Sequence, residues 1–170
     1  METVKLYSWG YTHVKTYLFA VLFIAGNLIL PQVCHALPIA DGGLMLLPIY
    51  FFTLIAAYKY GIRVGLLTAV LSPLLNNLFF GMPPTALLLA ILVKSVFLAV
   101  AAALVARRSG QISILALVVV VLAYQVFGTL VEWAIVKDFY VAVQDFRIGI
   151  PGMLLQAFGG YLLLKAIAKL

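Results

Sequence analysis

Charged residues are scarce in this sequence. Only 9% of the 170 residues are Asp, Glu, Lys or Arg, whereas 66% are hydrophobic. A soluble domain of this size has a largely polar surface and cannot bury so many apolar side chains. The composition therefore excludes a soluble globular protein and predicts a chain whose first partner is the lipid bilayer.

Several signatures of catalysis are missing as well. The sequence contains no G-x-x-x-x-G-K-[ST] loop, so the chain has no P-loop with which to hydrolyse ATP. It also has no G-x-S-x-G turn and no H-E-x-x-H pair. We therefore predict that the chain is not an enzyme and has no catalytic residues, which leaves binding or transport.

Long apolar runs bounded by proline, glycine and charge predict the fold class. A bilayer core of about 30 Å needs about 20 apolar residues per helix, so six helices leave no room for a soluble domain. We predict an all-α polytopic membrane protein, a bundle of six transmembrane helices in one domain over residues 1–170. The predicted helices are 16–33, 43–60, 62–81, 84–106, 112–136 and 147–168. Pro73 and the pair Gly159-Gly160 interrupt the third and sixth.

The basic residues predict the orientation of this bundle. With the N-terminus in the cytoplasm, only Lys137 and Arg147 fall in outer loops. Eight bases then fall on the inner side: Lys5, Lys15, Lys59, Arg63, Arg107, Arg108, Lys165 and Lys169. Such a bias is typical of cytoplasmic segments and predicts that both termini lie inside. The net charge of +6 thus reflects topology, and we predict no nucleic-acid partner.

Thiols and imidazoles are too few for a metal centre. Cys34 is the only cysteine, which excludes an internal disulfide and a multi-thiolate site. His13 and His35 lie on opposite sides of the membrane in the predicted topology and cannot share an ion. We predict neither a metal site nor a cofactor. In the first outer loop, His35 and Cys34 are either ligand contacts or simply solvated.

Polar side chains within the predicted spans define a candidate site. Polar groups in hydrocarbon are costly, so they are expected to face the bundle interior. Lys94, near the bilayer midplane, and Glu132, close to the outer end of the fifth helix, are the only formal charges at least one full turn inside the predicted ends of these spans. We predict a ligand pocket open to the outside and lined by Asn76, Asn77, Lys94, Tyr124, Gln125, Glu132, Trp133 and Gln156.

The same polar residues also have a purely structural interpretation. Hydrogen bonds between helices contribute about 1 kcal/mol each in membranes and often only tie a bundle together. An ion pair between Lys94 and Glu132 would give both residues a structural role. Alternatively, Lys94 binds a carboxylate or another electron-rich group of the ligand. The sequence leaves these alternatives open.

Two stretches resemble a known transporter family. The run Gly43–Pro84 resembles the second and third helices of the S components of energy-coupling-factor (ECF) transporters, with a G-x-x-x-G turn at Gly61–Gly65 and a polar end at Asn76-Asn77. The stretch Ile150–Leu170 looks like the last helix of that family, with P-G-x-L-x-Q near its outer start. One departure concerns the A-x-x-x-A motif by which many members dock on their scaffold subunit. Here Ala20 is followed four positions later by Ile24.

The resemblance implies a specific biological role. S components capture a vitamin or related micronutrient from the outer side of the membrane. Transport then requires a transmembrane scaffold subunit and two ATPase subunits, which agrees with the missing P-loop in this chain. The resemblance also implies a location in the cytoplasmic (inner) membrane of a prokaryote.

Two other classes fit the residues without the resemblance. One is a self-sufficient secondary transporter or small channel, in which Glu132 and Lys94 relay protons. The other is a non-transporting structural membrane subunit, whose buried polar groups only bond helices together.

Overall fold

The computed structural model describes residues 6–38 and 41–168, and within them the chain is helical without strands. A 3-10 turn at Pro48–Tyr50 joins the second and third α-helices, and a π-helical turn at Leu155–Gly159 joins the last two. The α-helices are α1 Val14–Ala36, α2 Gly42–Leu46, α3 Phe51–Tyr60, α4 Ile62–Phe80, α5 Thr85–Ser109, α6 Ile114–Val136, α7 Phe139–Ala142, α8 Gln144–Arg147, α9 Ile150–Leu154 and α10 Gly160–Ala166.

Five helical stretches among the described residues are long and apolar enough to cross a membrane. They are Val14–Ala36, Gly42–Tyr60, Ile62–Phe80, Thr85–Ser109 and Ile114–Val136. This is the pattern of a multi-pass membrane protein. The prediction of an all-α membrane fold is confirmed at this level, whereas the sixth span and the orientation of the termini stay predictions.

The second and sixth predicted helices differ from the observed ones. The stretch predicted as one helix over 43–60 breaks at Leu47, whose φ of 47° is left-handed. Pro48 explains the break, because proline disfavours the right-handed helical conformation of the residue before it. The stretch predicted over 147–168 consists of α9, the π-helical turn and α10, so the Gly159-Gly160 pair marks a change of helix type. Pro73, in contrast, lies inside an unbroken α4.

Apolar side chains cover the outside of the bundle and polar ones lie inside it. Leu78 and Leu115 are each 73% exposed, whereas Asn27, Gln125 and Gln156 are completely buried. A soluble protein shows the reverse distribution, because an apolar surface of this extent is costly in water. The surface is therefore suited to lipid.

Asn27 holds three helices together through a buried network. Its Nδ2 donates to Thr53 Oγ1 at 3.0 Å and to Ser72 Oγ at 3.2 Å. Its Oδ1 accepts from the backbone N–H of Phe52 at 3.1 Å, and its carbonyl accepts from Asn76 Nδ2 at 2.9 Å. These bonds join α1, α3 and α4 beneath the turn that starts α3.

Basic residues gather at one end of the bundle. At the turn between α3 and α4, Lys59 donates to the carbonyl of Ile167, and Arg63 donates to the carbonyl of Trp9 at 3.1 Å. The bases at this end among the described residues are Lys15, Lys59, Arg63, Arg107, Arg108 and Lys165, against Lys137 and Arg147 at the other end. Six of the eight bases that the sequence assigns to the inner side thus lie at this end, and the other two, Lys5 and Lys169, are outside the described residues.

Cysteine labelling tests the orientation. In a Cys34→Ala background, Tyr140→Cys at the end poor in bases should react with a membrane-impermeant maleimide in intact cells, since Tyr140 is 73% exposed. Ser109→Cys, exposed at the basic end, should react only after the membrane is opened. The opposite labelling pattern would show that the bundle has the inverse of the predicted orientation.

Candidate functional site

A buried ion triad occupies the end of the bundle away from the bases. Lys94 Nζ on α5 contacts Glu132 Oε2 on α6 and lies 2.8 Å from Asp145 Oδ2 on α8. The three side chains are only 3%, 10% and 14% exposed. Lys94 is the tenth residue of α5 and thus lies about 14 Å along that helix from its start. The ion pair between Lys94 and Glu132 that the sequence left open is therefore present, with a second carboxylate added to it.

Gly128 makes room for the lysine. A Cβ built at this position would lie 2.5 Å from Lys94 Cγ, closer than real carbon atoms approach, so only glycine lets the side chain pass along α6. The chain order explains why Lys94 meets Gly128, because α5 and α6 form an antiparallel hairpin. Lys94 lies 15 residues before the end of α5, and Gly128 lies 14 residues after the start of α6. The contact places the ammonium beside Glu132, one turn further along α6.

A cavity of about 460 Å³ opens beside the triad. Its size lies in the range of small-molecule sites, about 300–1,000 Å³. Most of its wall is apolar: Pro31, Leu44, Leu47, Pro48, Ile49, Met82, Pro83, Pro84, Leu87, Ile91 and Val141. These residues come from the last part of α1, the α2–α3 segment, the α4–α5 connection, the first turns of α5, and α7, so the cavity lies at the end of the bundle opposite the bases.

Polar groups are few on this wall. Besides the triad, Tyr50, Asn76, Gln144 and the exposed His35 line the cavity. Asn76 is fixed, because its Nδ2 donates to the carbonyls of Asn27 and Ser72 at 2.9 and 3.0 Å, while its Oδ1 has no partner among the described residues. An apolar wall with a few convergent polar groups is typical of a site that binds and orients a small molecule.

Of the eight residues predicted for the ligand site, Asn76, Lys94 and Glu132 line this cavity. Tyr124, Gln125 and Gln156 are fully buried in the bundle outside the cavity lining. Tyr124 packs its ring 5.4 Å from that of Tyr50 and donates to Gln156 Oε1 at 2.9 Å. Tyr124 and Gln156 therefore support the cavity residue Tyr50 and do not face the cavity themselves.

Two predicted site residues lie elsewhere. Asn77 donates to the carbonyl of Pro83 at 2.7 Å and so fixes the α4–α5 connection from outside the cavity. Trp133 is 47% exposed and packs edge-on against Phe139, with ring centroids 5.5 Å apart. It follows Glu132 directly, and a turn of about 100° per residue around α6 directs it away from the cavity.

Sequence reasoning does not find Asp145. The residue falls in a predicted outer loop, where an acidic side chain is ordinarily solvated. Only a charge within a membrane span indicates a functional site from sequence. In the structure the short helices α7 and α8 fold back over the cavity and bring Asp145 to Lys94. Asp138 starts this return, because its carboxylate caps α7 by accepting from the N–H groups of Tyr140 and Val141.

Several buried polar groups near the triad lack partners. Both amide atoms of Gln125 and the hydroxyls of Thr129 and Ser95 have no hydrogen bond among the described residues. Gln125, Thr129 and Glu132 are spaced four and three apart, so they share one face of α6. Unpaired polar groups in an apolar interior are costly, and ordered water is the usual partner that satisfies such groups.

The site offers little to a metal ion. No group of three or more His, Cys, Asp or Glu side chains comes together in the described part of the chain. The two carboxylates that do meet are already engaged by Lys94. The arrangement is therefore suited to binding by hydrogen bonds and charge.

No family model, no curated protein and no solved structure matches this chain.

Removing the lysine tests the ion triad. Lys94→Met leaves two buried carboxylates facing each other and should destabilise the protein by about 3–5 kcal/mol. The effect should appear as a lower midpoint of thermal unfolding in detergent. The triple variant K94M/E132Q/D145N, which removes all three charges together, should recover much of the loss.

Lys165→Met is the matched control, since Lys165 is exposed at the opposite end. It should leave the midpoint unchanged. A Lys94→Met protein as stable as wild type would mean that the triad does not form.

Proposed function

We propose that the chain is the substrate-binding S component of an ECF-type ATP-dependent importer and captures a vitamin or related micronutrient from the outer side of the membrane. The observation that carries this proposal is the mostly apolar cavity of about 460 Å³ that has Lys94, Glu132 and Asp145 in its wall. Buried charges are costly in a membrane, so an ion triad in the wall of a cavity favours a role in binding over a purely structural one.

The position of the cavity supports capture from outside. It lies at the end of the bundle away from the basic residues, and positively charged segments are retained in the cytoplasm. With that orientation the cavity faces the external medium. The prolines of the α4–α5 connection and the short helices α2, α7 and α8 border it on that side.

The partners follow from the family resemblance and from the missing ATPase motif. An S component depends on a transmembrane scaffold subunit and two ATPase subunits for transport, and binds its substrate without them. The A-x-x-x-A position is altered here, and Ala20 and Ile24 are 3% and 7% exposed in the bundle. We propose that docking on the scaffold uses other residues of this protein.

A proton-coupled secondary transporter is the second candidate. The specific observation in its favour is the row of unpaired polar groups on α6, Gln125 and Thr129, which continues from Glu132 into the bundle. Acidic residues with such neighbours are typical of proton relays. Uptake into proteoliposomes that contain this chain and no ATPase would favour this second candidate over the importer. A structural subunit would neither bind nor transport a small molecule.

Capture is tested by mass spectrometry of small molecules released from the protein purified in mild detergent. Ile91→Trp places a large ring in the cavity wall and should reduce the bound molecule to background. Leu89→Trp, two residues away on the same helix but 57% exposed, is the matched control and should retain it. The proposal would be contradicted if both variants released equal amounts of the bound molecule, or if wild-type protein from cells grown in rich medium released none.

A further inference from the structure

The ion triad carries an unbalanced charge. Lys94 contributes one positive charge, and Glu132 and Asp145 contribute two negative charges, which leaves a formal charge of −1 at the polar part of the cavity. No other Lys, Arg, Asp or Glu among the described residues lines the cavity. His35 is the one additional titratable lining group besides Tyr50, and it is exposed at the opening, where solvent screens it.

The lysine is not free to bind an anionic ligand. Its ammonium is already shared by the two carboxylates, and a third negative group beside it would meet the excess negative charge. Like charges in a partly buried site repel by several kcal/mol at an effective dielectric constant of about 20. The alternative in which Lys94 holds a ligand carboxylate is therefore disfavoured by the geometry.

Three oxygens of the cavity wall are unpaired hydrogen-bond acceptors, besides the Tyr50 hydroxyl and the Gln144 amide, which can also donate. Lys94 contacts Oε2 of Glu132 and Oδ2 of Asp145, so the second oxygen of each carboxylate has no hydrogen bond among the described residues. Asn76 adds a third acceptor, because both of its observed bonds use Nδ2 and its buried Oδ1 is unpaired. Acceptors of this kind are satisfied by a ligand that donates hydrogen bonds.

We propose that the captured molecule carries a positively charged group that donates hydrogen bonds, such as a protonated amine or a cationic nitrogen heterocycle. This group binds at Glu132 and Asp145, and the apolar or aromatic remainder of the molecule lies along the wall that includes Tyr50 and Ile91. A charge-assisted hydrogen bond to a carboxylate is shorter and stronger than a neutral one. The inference rests on the proposed function and specifies its substrate class.

Matched probes test the charge preference without knowledge of the natural ligand. The full chain, stripped of bound molecules and placed in nanodiscs, is titrated with tryptamine, tryptophol and indole-3-propionate, and then with phenethylamine, 2-phenylethanol and 3-phenylpropionate. Within each set the ring is the same and the end group is cationic, neutral or anionic. The cation should bind about tenfold more tightly than the neutral analogue by calorimetry, and the anion least.

Variants show whether the preference comes from the triad. E132Q/D145N leaves Lys94 as the only charge and should reverse the order, so that the anion binds best. Asp138→Asn removes an acid at the same end that does not line the cavity, and it should leave the order unchanged.

The outcomes separate this inference from the proposed function. If the neutral or anionic probes bind wild type as tightly as the cationic probes do, the charge preference is wrong, while small-molecule capture is unaffected. An order that persists in E132Q/D145N would also overturn it. If wild type binds none of the six probes at millimolar concentration, the charge preference is also wrong. Capture itself is tested separately, by mass spectrometry of the molecule that co-purifies with the protein.

Discussion

The burial of one lysine is the constraint on which the rest of this structure depends. A charge at the depth of Lys94 is tolerated only where other groups compensate it, because hydrocarbon provides no solvation. Here the compensation comes from Glu132 on the neighbouring helix and from Asp145 beyond the last long helix. Both carboxylates contact the ammonium, which ties the short helices that follow α6 to the centre of the bundle.

This constraint also explains the form of the cavity. The glycine at position 128 lets the lysine side chain pass along α6, and the return of α7 and α8 covers it from the open end. Asn27 holds α1, α3 and α4 in place on the other side, with Asn76 between that network and the cavity. The space between these two polar centres is lined mostly by apolar groups, so a bound molecule meets polar atoms only at defined places.

The parts of the structure that sequence could predict are those set by hydropathy and charge. Apolar runs located α1, α4, α5 and α6 to within a few residues, because a bilayer imposes their length, and the cost of buried charge singled out Lys94 and Glu132. Asp145 could not be predicted in this way, since its role depends on a turn that brings a loop acid 51 residues along the chain back to Lys94. Trp133 shows the converse, because an aromatic residue beside a site residue can face outward on a helix.

The break at Leu47 illustrates a further limit. Residues 43–60 have the composition of one helix, and only the combination of a proline with a left-handed residue before it produces the turn that borders the cavity. Composition alone predicts that the segment spans the membrane, but the shape of a binding site depends on such local departures from regular helix.

An experimental structure of the protein, purified with its bound molecule from its own membrane, would locate the ligand relative to the triad. We expect non-protein density between Tyr50 and Asn76, with a polar group within hydrogen-bonding distance of Asp145 and with Lys94 paired to both carboxylates. A cavity filled by side chains, or a Lys94 side chain directed at lipid, would contradict this expectation.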